Sequence, residues 1–388
     1  MNVYLDNNAT TPIHPKAKSA IIEFLDFFGN PSSMHSDGRI VKEKLVIAKQ
    51  QIADFLNASL DDIIFTSCGS ESNNTILKSM LFWPKEKQNL VTTNIEHPAN
   101  LETAKFLEKN GIKVSYIEVN DDGIIDLNQL EKSLTKDTGL VSIMYANNEI
   151  GTIQPIDKIA KIVKEKAPNA IFHTDAVQAA GKIKLDLKNS PFDTASISGH
   201  KLYAPKGIGI LYIRDFDKKR KSFTPLIHGG HQEKGFRAGT ENTIGIIALG
   251  AACEALQSEI DVEIERIKKI RDYFENKVIE NIKDIIINGK NSERVPGTSN
   301  ITFKYVEGES ILLKLDLNGF SVSTGSACST GSLEPSHVLM ALHKKPEIAH
   351  GSIRFSFGRE NRIEQVDKLI EILVKEIDIL RKISPLSK

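Results

Sequence analysis

Cysteine is scarce in this 388-residue chain: Cys68, Cys253 and Cys328 are an odd number, and they form neither a CxxC pair nor a metal-ligand spacing. A disulfide framework is therefore not what organises the fold, and a reducing compartment is the default for such thiols. Net charge is absent as well. Lys plus Arg and Asp plus Glu each total 50, so no overall field favours nucleic acid or an anionic membrane as a general partner. No apolar run reads as long enough to span a bilayer. The opening "MNVYLDNNATTP" carries no basic segment followed by an apolar one, so no signal peptide is expected and the cytoplasm is the expected location. Neither GxGxxG nor GxxxxGK(S/T) occurs, which removes the two common nucleotide-binding loops.

What is present is an ordinary globular composition, 40% hydrophobic and 26% charged, in a chain long enough for more than one domain. Short β-branched runs recur: "DIIFTS", "NLVTTNIEH", "IKVSYIEV", "GLVSIMYANNE", "NAIFHTDAV", "TASISGH" and "GIGILYI". Helical patterns lie between several of them, notably over 100–110 and 156–167. That alternation predicts an α/β fold with a mostly parallel mixed sheet covered by helices. From about Thr243 the character changes to a small-residue helix, a charged helix, the runs "TSNITFKYV" and "SIRFSFG", and a last amphipathic helix from Arg362 to Leu380. The expected division is a large domain over 15–255 and a smaller α/β domain built from 1–14 and 256–388.

In sheets of this kind functional residues gather at the carboxyl ends of strands. Thr93 to His97, Asn147 to Glu149, Asp175 to Gln178 and Ser198 to Lys201 all fall there. Asp175 ends an apolar run, where it either caps a helix starting at Ala176 or faces a positive partner such as a protonated heterocyclic nitrogen. Lys201 follows another apolar run and precedes a glycine-rich one, a setting that favours an amine able to form a Schiff base over a solvated side chain. The segment Ser67 to Asn74 turns from a strand into a helix, and its Gly69 and Ser70 offer a seat for a phosphate; Ser70 reads equally as a plain N-cap. Lysine, carboxylate and phosphate seat together describe a site for pyridoxal phosphate.

The same stretches carry a resemblance. "YLDNNATTP", "GNPSS", "EHP", "NNEIG", "HTDAVQ", "SGHK", "PKGIG", "GTEN", "STGSACS" and "SIRFS" occur in this order. With them the chain strongly resembles the cysteine desulfurases of the NifS/IscS type, within the class-V aminotransferase family of fold-type I pyridoxal-phosphate enzymes. The resemblance covers nearly the whole chain. It implies that Lys201 holds pyridoxal 5'-phosphate covalently, that Asp175 faces the ring nitrogen and that Gln178 donates to the phenolic oxygen. His97 is implied to stack on the ring and handle protons, and Asn147 to lie near ring and substrate. The phosphate positions fall on Gly69, Ser70, Ser198 and His200. Thr240 is expected from a second subunit, so a homodimer is implied.

For the reaction, the resemblance implies L-cysteine as substrate, with its carboxylate clamped by Arg354. Taken alone, Arg354 in "GSIRFSFG" reads as a solvated or ion-paired residue of an edge strand. Lys201 is implied to move the α-proton, and Cys328, as thiolate, to take the sulfur as a persulfide while L-alanine leaves. The glycine and serine neighbours of Cys328 predict an exposed, mobile loop, whereas Cys253 reads as an inert buried thiol. The resemblance implies a NifU/IscU-type iron-sulfur scaffold as sulfur acceptor, and it allows that scaffold to borrow Cys328 as a metal ligand. Ser70 replaces the more familiar threonine, Ala204 a glycine and Met340 an arginine. The chain also lacks a long segment after the last helix. A selenocysteine lyase or a related aminotransferase is the rival enzyme reading, and a sulfurtransferase scaffold without chemistry the non-enzymatic one.

Overall fold

Residues 2–324, 335–343 and 345–385 are described by the structure, a computed structural model. In chain order the described strands are β1 (Val3–Tyr4), β2 (Ile63–Thr66), β3 (Asn89–Thr93), β4 (Lys113–Ile117), β5 (Leu140–Ser142) and β6 (Ile171–Asp175). They continue with β7 (Thr194–Ser198), β8 (Gly209–Ile213), β9 (Ile285–Asn288), β10 (Thr298–Phe303), β11 (Phe320–Ser321) and β12 (Ser352–Ser356). Every β-branched run named from the sequence is a strand.

Seven of these strands form one sheet in the order β2-β8-β7-β6-β5-β3-β4. β8 runs antiparallel to both of its neighbours, and the other pairs are parallel. The carboxyl ends of β2, β7, β6, β5 and β3 therefore share one edge. Helices cover both faces, so β5, β7 and β8 are buried along their whole length, the small polar Thr and Ser side chains of β7 included. The helices α1 (Pro15–Phe24), α2 (Ser36–Leu56), α3 (Gly69–Ser79) and α4 (Pro98–Lys109) belong to this body.

The second layer is smaller. β12, β10 and β9 make an antiparallel sheet, and β1 pairs in parallel with β11. Bridges Asp6 to Ser356 and Ser323 to Arg354 close the other side of β12. The N-terminal segment thus reaches into this layer, with Val3 and Leu5 packed in the same core as Phe355 and Phe274.

Two helices were expected after Thr243, but one continuous helix, Thr243–Asn281, connects the layers. Its first half, Ile246 to Leu256, packs in the core of the large sheet, and Ile267 to Val278 pack in the core of the small one. The sequence reading of no membrane-length apolar run also needs correcting. Part of this helix is long and apolar enough to cross a bilayer by composition, yet 56% of that stretch is buried inside the protein. Its apolarity is that of a core helix.

Candidate active site

Lys201 is delivered by the turn that ends β7. A single 3-10 turn, Gly199–Lys201, follows Ser198, and Gly199 is needed there because a Cβ would sit 2.8 Å from Ile208 Cγ2 and 3.0 Å from the Ile208 carbonyl. The amine so placed donates to the backbone carbonyls of Asn8 and Ala9.

Asp175 ends the neighbouring strand β6. No helix starts at Ala176: the chain makes a turn in which Val177 N donates to Asp175 Oδ1 at 3.0 Å. The other oxygen accepts from Asn73 Nδ2 at 2.7 Å. Asn73 Oδ1 in turn meets His173 Nε2 at 3.0 Å, and His173 Nδ1 meets Thr194 Oγ1 at 2.8 Å. Burial drives the His173 pKa down to about 3, so the ring is neutral. Since Asn73 Oδ1 can only accept, the proton is on Nε2.

α3 begins where β2 ends. Cys68 holds the N-cap position in extended conformation, and a Cβ at Gly69 would lie 2.6 Å from Val177 Cγ2. Only glycine lets the helix N-terminus come this close to the turn after Asp175. Gly69, the exposed Ser70, and Cys68 itself all line the cavity described below. His200, also in its wall, meets Thr10 Oγ1 at 3.1 Å, and burial, then Lys201, hold its pKa down at about 4.

His97 caps α4, its Nδ1 accepting from Ala99 N at 3.1 Å. Burial lowers its pKa, Asp175 opposes that and Lys201 adds to it. With Nδ1 committed as acceptor, the neutral ring carries its proton on Nε2. His97 therefore lines the cavity as a neutral ring whose Nε2–H is a hydrogen-bond donor. The preceding Glu96 is fully buried and ties the ends of β3 and β5 together, accepting from Thr93 Oγ1 at 2.8 Å, Met144 N at 2.8 Å and Asn100 Nδ2 at 2.9 Å.

Asn147 is fully buried and is not among the residues lining the cavity described below. Its Nδ2 donates to the Ile95 carbonyl at 3.0 Å, and its Oδ1 accepts from the backbone N of Glu149 and Ile150 at 2.8 and 3.1 Å. That side chain is spent on folding its own loop, and its neighbour Asn148 lines the cavity instead.

Arg354 is buried, and it is also ion-paired. NH2 lies 2.7 Å from Asp6 Oδ1, and NH1 donates to the Asn148 carbonyl at 3.1 Å. The edge-strand reading fails because β10 and the two bridges flank β12. Gln178 donates through Nε2 to the Asn8 carbonyl at 3.0 Å. Asn148, Gln178, Ser198, His200, Lys201 and Arg354, together with His97, Asp175 and the start of α3, surround one cavity of about 250 Å³. Two wider depressions, about 540 and about 580 Å³, lie at α1 and α2 and beside the long helix, and none of these residues lines them.

Thr240 is exposed and is not in the wall of this cavity. Cys328 and its neighbours 325–334 lie outside the described residues. Cys253 is buried, and burial pushes its thiol far up, as expected of an inert thiol. Met340 packs partly buried against the cluster of Ile95, Met144 and Val338 rather than standing wholly on the surface. Among the described residues no group of three His, Cys, Asp or Glu is arranged to hold a metal. Sequence reading assigned no individual role to Asn73, Asn148, Asn8 or Asp6. Three asparagine doublets, "DNN" and "NNE" in loops after strands and "SNN" in the first turns of α3, were the available signal.

An amine, a carboxylate, a helix N-terminus and a guanidinium around one cavity can hold an anionic, basic-ring ligand together with a carboxylate substrate. Comparison with known proteins agrees. The class-V aminotransferase profile matches residues 3–369. A cysteine desulfurase of Trichormus azollae is 48% identical over 384 residues, covering 99% of this chain and 94% of that one. Cysteine desulfurase IscS of Dictyoglomus turgidum is 49% identical over 385 residues, covering 99% and 96%. Among solved structures, a NifS-like protein superposes with a TM-score of 0.91 at 37% identity, over 98% of this chain and all of that one. SspA in complex with cysteine gives 0.81 at 35%, covering 92% and 99%.

Proposed function

This chain belongs to the cysteine desulfurases within the class-V aminotransferases, and we propose that the cavity around Lys201 and Asp175 is where it draws sulfur from L-cysteine. It is an enzyme of the pyridoxal-phosphate type that converts L-cysteine to L-alanine and yields persulfide sulfur for iron-sulfur cluster assembly. The observation that carries the assignment of the site is the convergence of Lys201, Asp175 and Arg354 on one cavity from three different strands.

The residues present fit pyridoxal phosphate. The start of α3, with Gly69 stripped to backbone against Val177, suits the phosphate. Asp175, held by Asn73 and the Val177 N–H, suits a protonated ring nitrogen. When bound, the cofactor supplies an electron sink at the substrate's α-carbon.

The rest is done by side chains of this protein. Lys201 Nζ holds the cofactor and, once released, carries the α-proton. Arg354 orients the substrate carboxylate. Its guanidinium has five donors, of which Asp6 and the Asn148 carbonyl occupy two groups, and its buried Nε has no partner among the described residues. His97 donates from Nε2, the tautomer that its cap bond to Ala99 supports. His200 stays neutral and serves the phosphate by a single N–H. Cys328 is the thiol that receives the sulfur, leaving a persulfide.

The exposed Thr240 is consistent with a role in the cavity of a second subunit, so the working form is a homodimer in this reading. A NifU/IscU-type scaffold is the acceptor proposed, and the cytoplasm the location. The test is to load the protein with pyridoxal phosphate, add L-cysteine and measure L-alanine. Lys201→Ala must abolish both the borohydride-fixable covalent attachment of the cofactor and alanine release, and retention of either removes Lys201 from its role.

A further inference from the structure

Lys182 is a second amine close to the site, and nothing above uses it. It is absent from the wall of the 250 Å³ cavity and instead lines a small recess behind it with Asn8, Thr11 and Lys201. The residue is half-buried as a whole, but its amine is enclosed by protein. Burial, then the like charges of Lys201 and Arg354, push its pKa well below the usual lysine value, with Asp6 opposing.

The amine has two acceptors. It donates to Gln178 Oε1, and to Asn8 Oδ1 at 2.6 Å. Asn8 cannot turn to offer its other end, because its Nδ2 already donates to Thr298 Oγ1 at 2.8 Å and to the Asn148 carbonyl at 3.0 Å. Its backbone N is fixed as well, on Ser356 Oγ at 2.9 Å. A fixed acceptor thus holds Lys182, and Lys182 holds Gln178.

The two ends of a glutamine amide have nearly the same shape, so partners decide which way it faces. Here Oε1 meets an amine, which donates whether or not it is protonated, and Nε2 meets the Asn8 carbonyl at 3.0 Å. A flip would set oxygen against oxygen at the Asn8 carbonyl, which can only accept, and forfeit the bond that the Lys182 amine gives to Oε1. Nε2 carries two N–H groups; the Asn8 carbonyl takes one, and the other is presented by a side chain that lines the cavity.

We propose that Lys182 is a positioning residue: through Gln178 Oε1 it fixes the glutamine so that an N–H donor, and never the oxygen, faces the cofactor's phenolic oxygen. This rests on the site reading given under Proposed function. A donor to that oxygen stabilises its anionic form and lowers the pH at which the bound cofactor's visible band titrates.

The experiment is a double-mutant cycle on the cofactor-loaded protein, read by pH titration of the visible band without substrate. Lys182→Met and Gln178→Leu each raise the midpoint, by roughly threefold to tenfold in proton affinity, the worth of one hydrogen bond. The double variant matches Gln178→Leu alone, because Lys182 acts through that glutamine. A wild-type midpoint in Lys182→Met overturns the proposal, and so do additive shifts, which mean that the amine acts by its charge alone. If Lys182→Met does not retain cofactor, Lys182→Arg, which keeps a donor for Oε1, decides: a wild-type midpoint supports the proposal and a raised one overturns it. A wild-type chain that develops no visible band overturns the reading of the site itself.

Discussion

Asn73 Nδ2 donates to Asp175 Oδ2 at 2.7 Å, while the oxygen of the same amide meets His173 Nε2 at 3.0 Å. One buried asparagine thus couples the carboxylate proposed for the ring nitrogen to a neutral histidine anchored on Thr194. Replacing it by leucine leaves a buried N–H and a carboxylate oxygen short of partners, which costs about 1–3 kcal/mol. Asn73→Leu is expected to lower the urea midpoint of the cofactor-free protein accordingly and to weaken cofactor binding. An unchanged midpoint with unchanged binding contradicts the coupling.

This coupling was out of reach of the sequence, and the reason is geometric. Asp175 and Lys201 were legible because a charged residue at or just past the end of a buried strand is conspicuous. Asn73 lies on α3, about a hundred residues from Asp175, and only the packing of α3 across the strand ends brings them together. The Asn147 and Asn148 doublet was legible as a site, but composition does not say which of two identical neighbours lines the cavity. Backbone hydrogen bonds to Glu149 and Ile150 claim the first. The fold was read more fully, since short β-branched runs separated by helical patterns announce a mostly parallel sheet. The error over the long helix came from its change of composition near Leu256, which marks a change of neighbouring core, not an end.

Arg354 engages Asp6 and the Asn148 carbonyl with two of its nitrogens, a planar fork that lysine does not reproduce. Arg354→Lys is expected to raise the KM for L-cysteine by roughly tenfold to a hundredfold, the loss of one or two charge-assisted bonds. The visible spectrum of the loaded protein should be unaltered. A wild-type KM contradicts the role in carboxylate binding.

Glu149 is fully buried, accepts from Ser336 Oγ at 2.5 Å, and is pushed up to about 7 by burial, against the opposing pull of Ser336 and Arg354. From an ordinary value of 4.5, the folded chain takes up a proton as pH falls through this range. The carboxyl therefore costs nothing below about 4.5, and its penalty grows until pH 7 is passed. Glu149→Gln removes the penalty, so the variant should gain on the parent by about 1–3 kcal/mol between pH 5 and pH 7.5. His173 and His200, whose lowered values act in the opposite direction, are common to both proteins and cancel. A pH-independent difference contradicts a raised Glu149.

The central claim is that sulfur leaves L-cysteine at this cavity and comes to rest on Cys328. The direct measurement is the intact mass of cofactor-loaded protein after brief exposure to L-cysteine, with peptide mapping of the added mass. One extra sulfur atom on the peptide holding Cys328, matched by L-alanine, and its disappearance in Cys328→Ser with the visible spectrum retained, is the predicted result. Alanine formation at the parent rate in Cys328→Ser, or sulfur found on Cys68 or Cys253 instead, contradicts it.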